Sequence, residues 1–298
     1  MPIRFRTITP LACVLVFAAT VAHAQDRPFA DPNDPNPGAI TLTAAADTVS
    51  TYMFRGIRQN GTGFAAQPSV DVGVALFSGD GGLKSANLNV GTWNSLHSGD
   101  TGANAASGNM WYESDFYATL AAGLGGGTSI GSTFTAYTSP NAGFSTVREV
   151  AFRFGIDDTP VLNGAALHPY ALVAFEFLTQ DGVGQADGGK KAGKYLELGV
   201  APSHAGAKAT VAVPLKLGLS LGDYYELRNS RGTVVENPRF GFASVAGIVT
   251  VPLGETSRFG GFNIHGGVEF QRLGNTTRAL NGGDANKVIG SVGVGLTY

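Results

Sequence analysis

From residue 209 to residue 221 the chain reads ATVAVPLKLGLSL, with Val211, Val213, Leu215, Leu217, Leu219 and Leu221 alternating with Ala212, Pro214, Lys216, Gly218 and Ser220. Alternation with a period of two is the mark of a strand with two unlike faces. Here one face is wholly aliphatic over a length that a water-soluble protein rarely leaves uncovered. Val70, Val72, Val74 and Leu76 opposite Ser69, Asp71, Gly73 and Ala75 repeat the arrangement. Val150, Phe152, Phe154 and Ile156 opposite Glu149, Ala151, Arg153 and Gly155 do so again.

The beginning of the chain states where such strands are used. Arg4 and Arg6, an apolar stretch from Leu11 to Ala22, and the small-x-small triplet Ala22-His23-Ala24 describe a secretory signal peptide, residues 1–24, cleaved after Ala24. Its apolar run of about a dozen residues falls short of the ~20 needed to span a bilayer as a helix, and no later stretch is longer. Cys13 lies within the signal, so the mature chain holds no cysteine and can be neither a disulfide scaffold nor a thiolate metal site. Loss of Arg4 and Arg6 leaves 18 Lys and Arg against 22 Asp and Glu, a formal charge of −4 that argues against nucleic acid as a partner.

Residues 25–38 carry four prolines and no periodicity and read as a flexible periplasmic leader. From residue 39 to 298 twelve alternating blocks follow, separated by clusters rich in Gly, Asp, Asn and Ser. They run over Ile40–Arg55, Phe64–Phe77, Ser85–Leu96, Met110–Ala122, Ser129–Thr138, Val147–Ile156, Leu167–Leu178, Tyr195–Ala201, Ala209–Leu221, Arg239–Val251, Phe259–Arg272 and Lys287–Tyr298. The 43 glycines among 298 residues, about twice the ~7% average, belong in turns and within strands, because no Gly-X-Y period is present. Long connections (56–63, 97–109, 139–146, 179–194, 222–238, 273–286) alternate with mostly shorter ones (78–84, 123–128, 157–166, 202–208, 252–258), as expected of extracellular loops and periplasmic turns. The expected fold is all-β, a closed antiparallel transmembrane barrel of about twelve strands. Trp111, Tyr112, Tyr224, Tyr225, Phe240, Phe242, Phe259, Phe262 and Tyr298 fall near block ends and suit interfacial girdles. Pro214 is out of place in a barrel strand, and a bulge is expected there.

The final block, VIGSVGVGLTY from Val288 to Tyr298, resembles the terminal aromatic strand of bacterial outer-membrane barrels, which closes the barrel and is read by the assembly machinery. A more specific resemblance lies in Tyr52-Met53-Phe54-Arg55-Gly56-Ile57-Arg58-Gln59, followed by Ala65-Ala66-Gln67-Pro68. The segment is similar to the Y-x-F-R-G-[IV]-x-Q opening of the TorF-like group of outer-membrane porins, with Tyr52, Phe54, Arg55, Gly56 and Gln59 matching and Arg58 departing from the usual Ser or Thr. The resemblance implies a channel-forming barrel and names no solute.

If the apolar faces meet lipid, block parity puts Asp47, Asp71, Glu113, Asp115, Glu149, Glu176, Glu197 and Glu269 on the lumen side, with Arg55, Arg153, Lys216, His168 and His265. Eight acids against three permanent bases predict a mild cation preference, unless these groups pair and plug the interior. Twelve strands lie between the filled eight-stranded barrel and the open sixteen-stranded porin, so a narrow pore is expected. Catalysis has little support: there is no G-x-S-x-G elbow, and His97 and His204 fall in connections. Gly123–Gly127 joins two strands without a following helix, and Asp181-Gly182 and Asp187-Gly188 lack calcium-loop spacing, so neither a cofactor nor a metal is expected. The reading is a passive outer-membrane porin for small hydrophilic solutes or ions, with outer-membrane lipid and the assembly machinery as partners. The alternative is a barrel with a plugged lumen, serving as a structural or adhesion protein or as a lipid-modifying enzyme.

Overall fold

The structure, a computed structural model, describes residues 39–101, 110–162, 166–177, 191–255 and 260–298. The signal peptide and leader (1–38), Phe259 and most of the connection 179–194 lie outside the described residues.

Twelve antiparallel strands form one closed ring. In chain order they are β1 (Ile40–Val49), β2 (Ala65–Ser78), β3 (Leu83–His97), β4 (Trp111–Leu124), β5 (Thr128–Thr138), β6 (Val147–Ile156), β7 (Tyr170–Phe177) and β8 (Lys194–Val200). They continue as β9 (Thr210–Ala212 and Leu215–Gly222), β10 (Phe240–Pro252), β11 (Gly261–Leu273) and β12 (Asn286–Thr297). Each pairs with its sequence neighbours, and β12 returns to β1 from Thr43↔Thr297 to Val49↔Ser291. Leu42 and Tyr298 exchange both backbone hydrogen bonds, 2.7 and 2.8 Å, at the seam. Closure leaves no edge of unpaired N–H and C=O groups, the condition for strands to cross a membrane. No helix among the described residues is long and apolar enough to do so.

The apolar faces point outward. Val70, Val72 and Val74 of β2, Phe152 and Phe154 of β6, and Val211, Val213 and Leu215 of β9 are all exposed. Trp111, Phe240, Phe262 and Tyr298 also face out near the barrel ends. Tyr112, Tyr224, Tyr225 and Phe242 do not: they are buried inside, so the girdle reading is wrong for these four. Sequence proximity to a strand end does not say which way a ring points, and Tyr112 is turned inward by a bulge where Ser95↔Glu113 gives way to Leu96↔Trp111.

Pro214 interrupts β9 without the expected bulge. Thr210↔Thr250 and Leu215↔Val245 belong to one unbroken register with β10, and Ala246 N–H donates to the Pro214 carbonyl at 3.0 Å. The ladder gives up only the single bond that the ring nitrogen cannot donate.

The two ends differ. One rim carries long connections, including α2 (Asn275–Leu280) and a two-stranded ribbon of Leu227–Arg228 and Val234–Glu236. The other carries tighter turns, the largest of which holds the single helical turn α1 (Thr159–Leu162). These are called the loop rim and the turn rim below.

Candidate functional site

The first strand stops at Val49, six residues earlier than its sequence pattern suggests, and the chain then folds into the barrel. Met53–Phe54 and Ile57–Arg58 pair as a minimal hairpin. Its central residues Arg55 and Gly56 have φ of 46° and 81°, the positive values that a tight two-residue hairpin of type I′ requires at both positions. Glycine takes this conformation freely, whereas Arg55 pays a steric cost of about 1–2 kcal/mol. The turn drives the arginine into the lumen rather than along the wall. Segment 56–63 is therefore no extracellular loop, and Arg55 is not a wall residue.

Arg55 is held on every side. Its Nη1 and Nη2 reach Glu149 Oε2 and Oε1 at 2.7 and 2.9 Å, and Nη1 also donates to Tyr224 Oη at 2.8 Å. The guanidinium lies 4.1 Å from the Tyr195 ring centre, and Tyr225 Oη donates to the Arg55 carbonyl at 3.0 Å. Arg55 is 3% and Glu149 0% exposed, so the pair is fully enclosed. A two-pronged, hydrogen-bonded geometry is what makes such a pair tolerable away from water.

The rest of the segment is secured equally well. Asn60 Oδ1 accepts from Tyr52 N at 2.6 Å, and Tyr112 Oη donates to Gln59 Oε1 at 2.7 Å. From the loop rim, Asn281 at the end of α2 donates to the Gly56 carbonyl at 2.8 Å and accepts from Arg58 N at 2.9 Å. Tyr52 packs against Trp93, ring centres 5.2 Å apart, and Phe54 stands edge-on to Tyr137 at 5.6 Å. Val49, Met53, Ile57, Phe242 and Ile289 join these rings in one buried cluster in the loop-rim half of the lumen, and Leu172 extends it toward the turn rim.

The turn-rim half is wetter. Thr43, Asn87, Asn89, Thr119, Arg153 and Lys216 line it and are half-buried. Asp71 accepts from Asn89 at 2.7 Å, Glu197 accepts from Tyr170 and Tyr195 at 2.7 Å each, and Asp47 meets His265 at 2.6 Å. The Arg153 guanidinium lies 3.8 Å from the Tyr170 ring centre. Higher in the lumen, Glu176 Oε2 accepts from Gly193 N at 2.8 Å and Glu269 Oε1 accepts from Gln271 at 3.1 Å. Glu113 and Asp115 are buried side by side beneath Tyr52.

His168 is not on the inner wall. It lies in the connection before β7, 3.6 Å from Asp157 and 3.9 Å from Asp158. Those three side chains converge closely enough to surround a cation. Their carboxylates are already engaged, however, Asp157 by Thr159 N–H and Asp158 by Leu167 and His168 N–H at 2.9–3.0 Å, so the cluster reads as a turn brace. His97 also differs from expectation: it is the last residue of β3, stacked on Tyr112 at 4.5 Å with Nε2 3.0 Å from Ser95 Oγ. Both residues are sealed from solvent, so this contact offers no nucleophile to a substrate.

Sequence reasoning missed Tyr224, Tyr225, Asn60 and Asn281. The available signal was Gly56, a residue suited to positive φ, directly after Arg55 at the end of the first block.

A family model described as a bacterial protein of unknown function (Gcw_chp) matches residues 33–213, well over half the chain. The chain belongs to the Gcw_chp family. The part of this Gcw_chp protein that the model covers includes the inward hairpin and all of β1 to β8. No curated protein matches at a significant level. Among solved structures, an outer membrane channel from Pseudomonas putida F1 superimposes with a TM-score of 0.50 at 10% identity, covering 91% of this chain and 100% of that one. The translocator domain of the autotransporter NalP from Neisseria meningitidis gives 0.40 at 15% identity, over 86% and 87% of the two chains. OmpF from Salmonella typhi gives 0.38 at 9%, over 87% and 97%. At such identities the likeness shows the fold alone, and the last two scores carry no argument. The Gcw_chp chain has the closed antiparallel barrel fold of outer-membrane proteins.

Proposed function

We propose that this protein is an outer-membrane channel for small hydrophilic solutes or ions, constricted on its loop-rim side by its own inward hairpin. The observation that carries the reading is the Arg55–Glu149 contact: one polar, two-pronged lock holds a short segment across a lumen whose other half is open to water. A barrel meant only as a wall could fill this space with aliphatic side chains from the strands themselves. The resemblance of Tyr52–Gln59 to the opening of TorF-like porins agrees with this reading, as does the barrel fold shared with the Pseudomonas putida outer membrane channel.

A weak cation preference follows from the partners of the acids. Asp71, Glu197 and Glu269 accept from amide and hydroxyl donors that leave their negative charge uncancelled, whereas Arg153 and Lys216 oppose it from the same wall. The long-loop rim faces outward from the cell in this proposal, and Val288–Tyr298 is the segment offered to the assembly machinery.

Planar-bilayer recording of refolded protein tests the reading. Small, discrete conductance steps are expected, with a reversal potential in a salt gradient shifted modestly toward the cation. A silent membrane under all voltages, in wild type and in a variant lacking residues 51–63, would leave the second reading, a plugged structural barrel, which the complete burial of the hairpin favours.

A further inference from the structure

Two cations stand apart from the rest of the outer wall. Arg148 on β6 and Lys194 on β8 are exposed and point outward at the loop rim. They flank β7 on its outer face, Arg148 opposite Phe177 and Lys194 opposite Phe175. Neither is in an ion pair among the described residues. One strand lies between them; two strand spacings across and two residues along β7 put their backbones about 12 Å apart. Beside and below them lies an aromatic slab: Phe175 and Phe177, level with the two cations, and the deeper Phe152 are 38%, 48% and 53% exposed, and the Phe152 and Phe175 rings meet edge-on at 6.3 Å.

Elsewhere on the described wall exposed cations occur singly, as Lys84 at the turn rim of β3, bonded to the Asp80 carbonyl, and Arg239 just before β10. At the turn rim the outward positions bounding the same arc are Ile156, Ala171, Val200, Val211, Val251 and Phe262, all uncharged. At the loop rim, Thr48, Ala66, Leu96, Ser114 and Thr138 bound β1 to β5 without charge. A cation at the edge of an apolar band sits at headgroup depth, where it attracts anionic groups and its stem lies along the acyl region.

We propose that Arg148, Lys194 and the phenylalanines beside them form a lipid site that takes a phosphorylated headgroup of net negative charge from the surrounding leaflet, with an acyl chain laid over Phe152, Phe175 and Phe177. Charge complementarity selects an anion, and the aromatic slab selects an amphiphile over a free ion. The proposal rests on the outer-membrane reading. Arg272, which also faces outward at the loop rim but lies three strands away from Lys194 and is hydrogen-bonded to Asn286, belongs to no such patch and serves as the comparison.

The test is native mass spectrometry of refolded protein exchanged from mixed micelles containing diphosphorylated lipid A, dephosphorylated lipid A or phosphatidylcholine. Wild type is expected to retain one diphosphorylated lipid A through exchange and neither of the others. The pair R148Q/K194Q should retain at least about tenfold less. F175A/F177A should lose retention as well, while migrating as a folded, heat-modifiable barrel. Equal retention of all three lipids overturns the site, as does a loss in R272Q matching that in the pair. Excess inorganic phosphate should not displace the lipid, and displacement by it would identify a simple anion site instead. Failure of the chain to enter vesicles at all would strike the membrane reading itself, whereas normal insertion without lipid preference strikes only this inference.

Discussion

At the scale of single residues, Arg55 and Glu149 are the contact most sensitive to change. Glu149→Gln removes the carboxylate but keeps the shape, leaving a guanidinium enclosed with hydroxyl groups and ring faces. Loss of one member of a buried ion pair costs about 3–5 kcal/mol. Unfolding by urea in micelles should register that loss, and single-channel recording should show a higher open fraction as the hairpin detaches. The double variant R55M/E149L should unfold closer to wild type than E149Q, because an apolar pair carries no desolvation cost. Stability of E149Q equal to wild type would mean that the hairpin is held by its rings alone. The sequence disclosed Arg55 as important through its motif and Glu149 through alternation, yet nothing in the spacing joined two positions 94 residues apart. Their meeting depends on a turn with positive φ at a non-glycine residue, a conformation that local preference argues against.

At the scale of elements, glycine works as the counterpart of an aromatic ring on the next strand or, at Tyr225, on the neighbouring connection. Tyr117 lies against Gly91, Tyr170 against Gly199, Phe242 against Gly218 and Tyr225 against Gly241, each so close that a β-carbon on the glycine would intrude into the ring. This accounts for part of the glycine excess that composition alone assigned loosely to turns and strands. Gly241→Ala should displace Tyr225, whose hydroxyl holds the Arg55 carbonyl, at an overpacking cost of about 1–3 kcal/mol. Gly247→Ala, on the same strand with open space around it, should change stability by no more than about 0.5 kcal/mol. Thermal unfolding of the two variants gives the comparison.

The loop-rim connections carry a pH-dependent clip. Lys191 Nζ reaches Asp223 Oδ1 at 3.1 Å, and Asn237 Nδ2 donates to the same oxygen at 2.9 Å, tying two connections together and bracing the two ends of the second. The hydrogen bond from Lys191 holds the Asp223 carboxyl below the usual carboxylate range. A depressed value in the folded state means that the clip contributes above the unfolded carboxylate pKa of about 3.9 and is lost as the pH falls through the folded value. Proteolysis of the loops should therefore be constant from about pH 5 to 8 and rise on stronger acidification. Asp223→Asn should show the faster cleavage across the plateau and converge with wild type on strong acidification. Twelve strand positions were legible because alternation is forced wherever one face meets lipid and the other does not. The way the connections pack was not legible, because loops obey no period.

At the scale of the whole molecule, the outward apolar band dictates the solvent. The purified chain should need detergent or lipid to remain monodisperse and should bury its bands in vesicles, as sedimentation and vesicle flotation will read. A protein that stays dispersed in plain buffer would contradict the outward placement of the Val and Phe rows. Alternation made this face legible from the sequence, whereas the filled outer half of the lumen was not, since a motif read as strand and loop turned out to be the filling.

The seam between Leu42 and Tyr298 has a consequence for biogenesis. The two partners that seal the cylinder stand at opposite ends of the described barrel, so no form lacking β12 can possess a complete perimeter. Until the twelfth strand arrives the molecule is an open, two-edged ribbon that needs shielding from its own kind. Closure is thus timed by the pairing of β12 with β1, a long-range contact of the kind that topology makes slow.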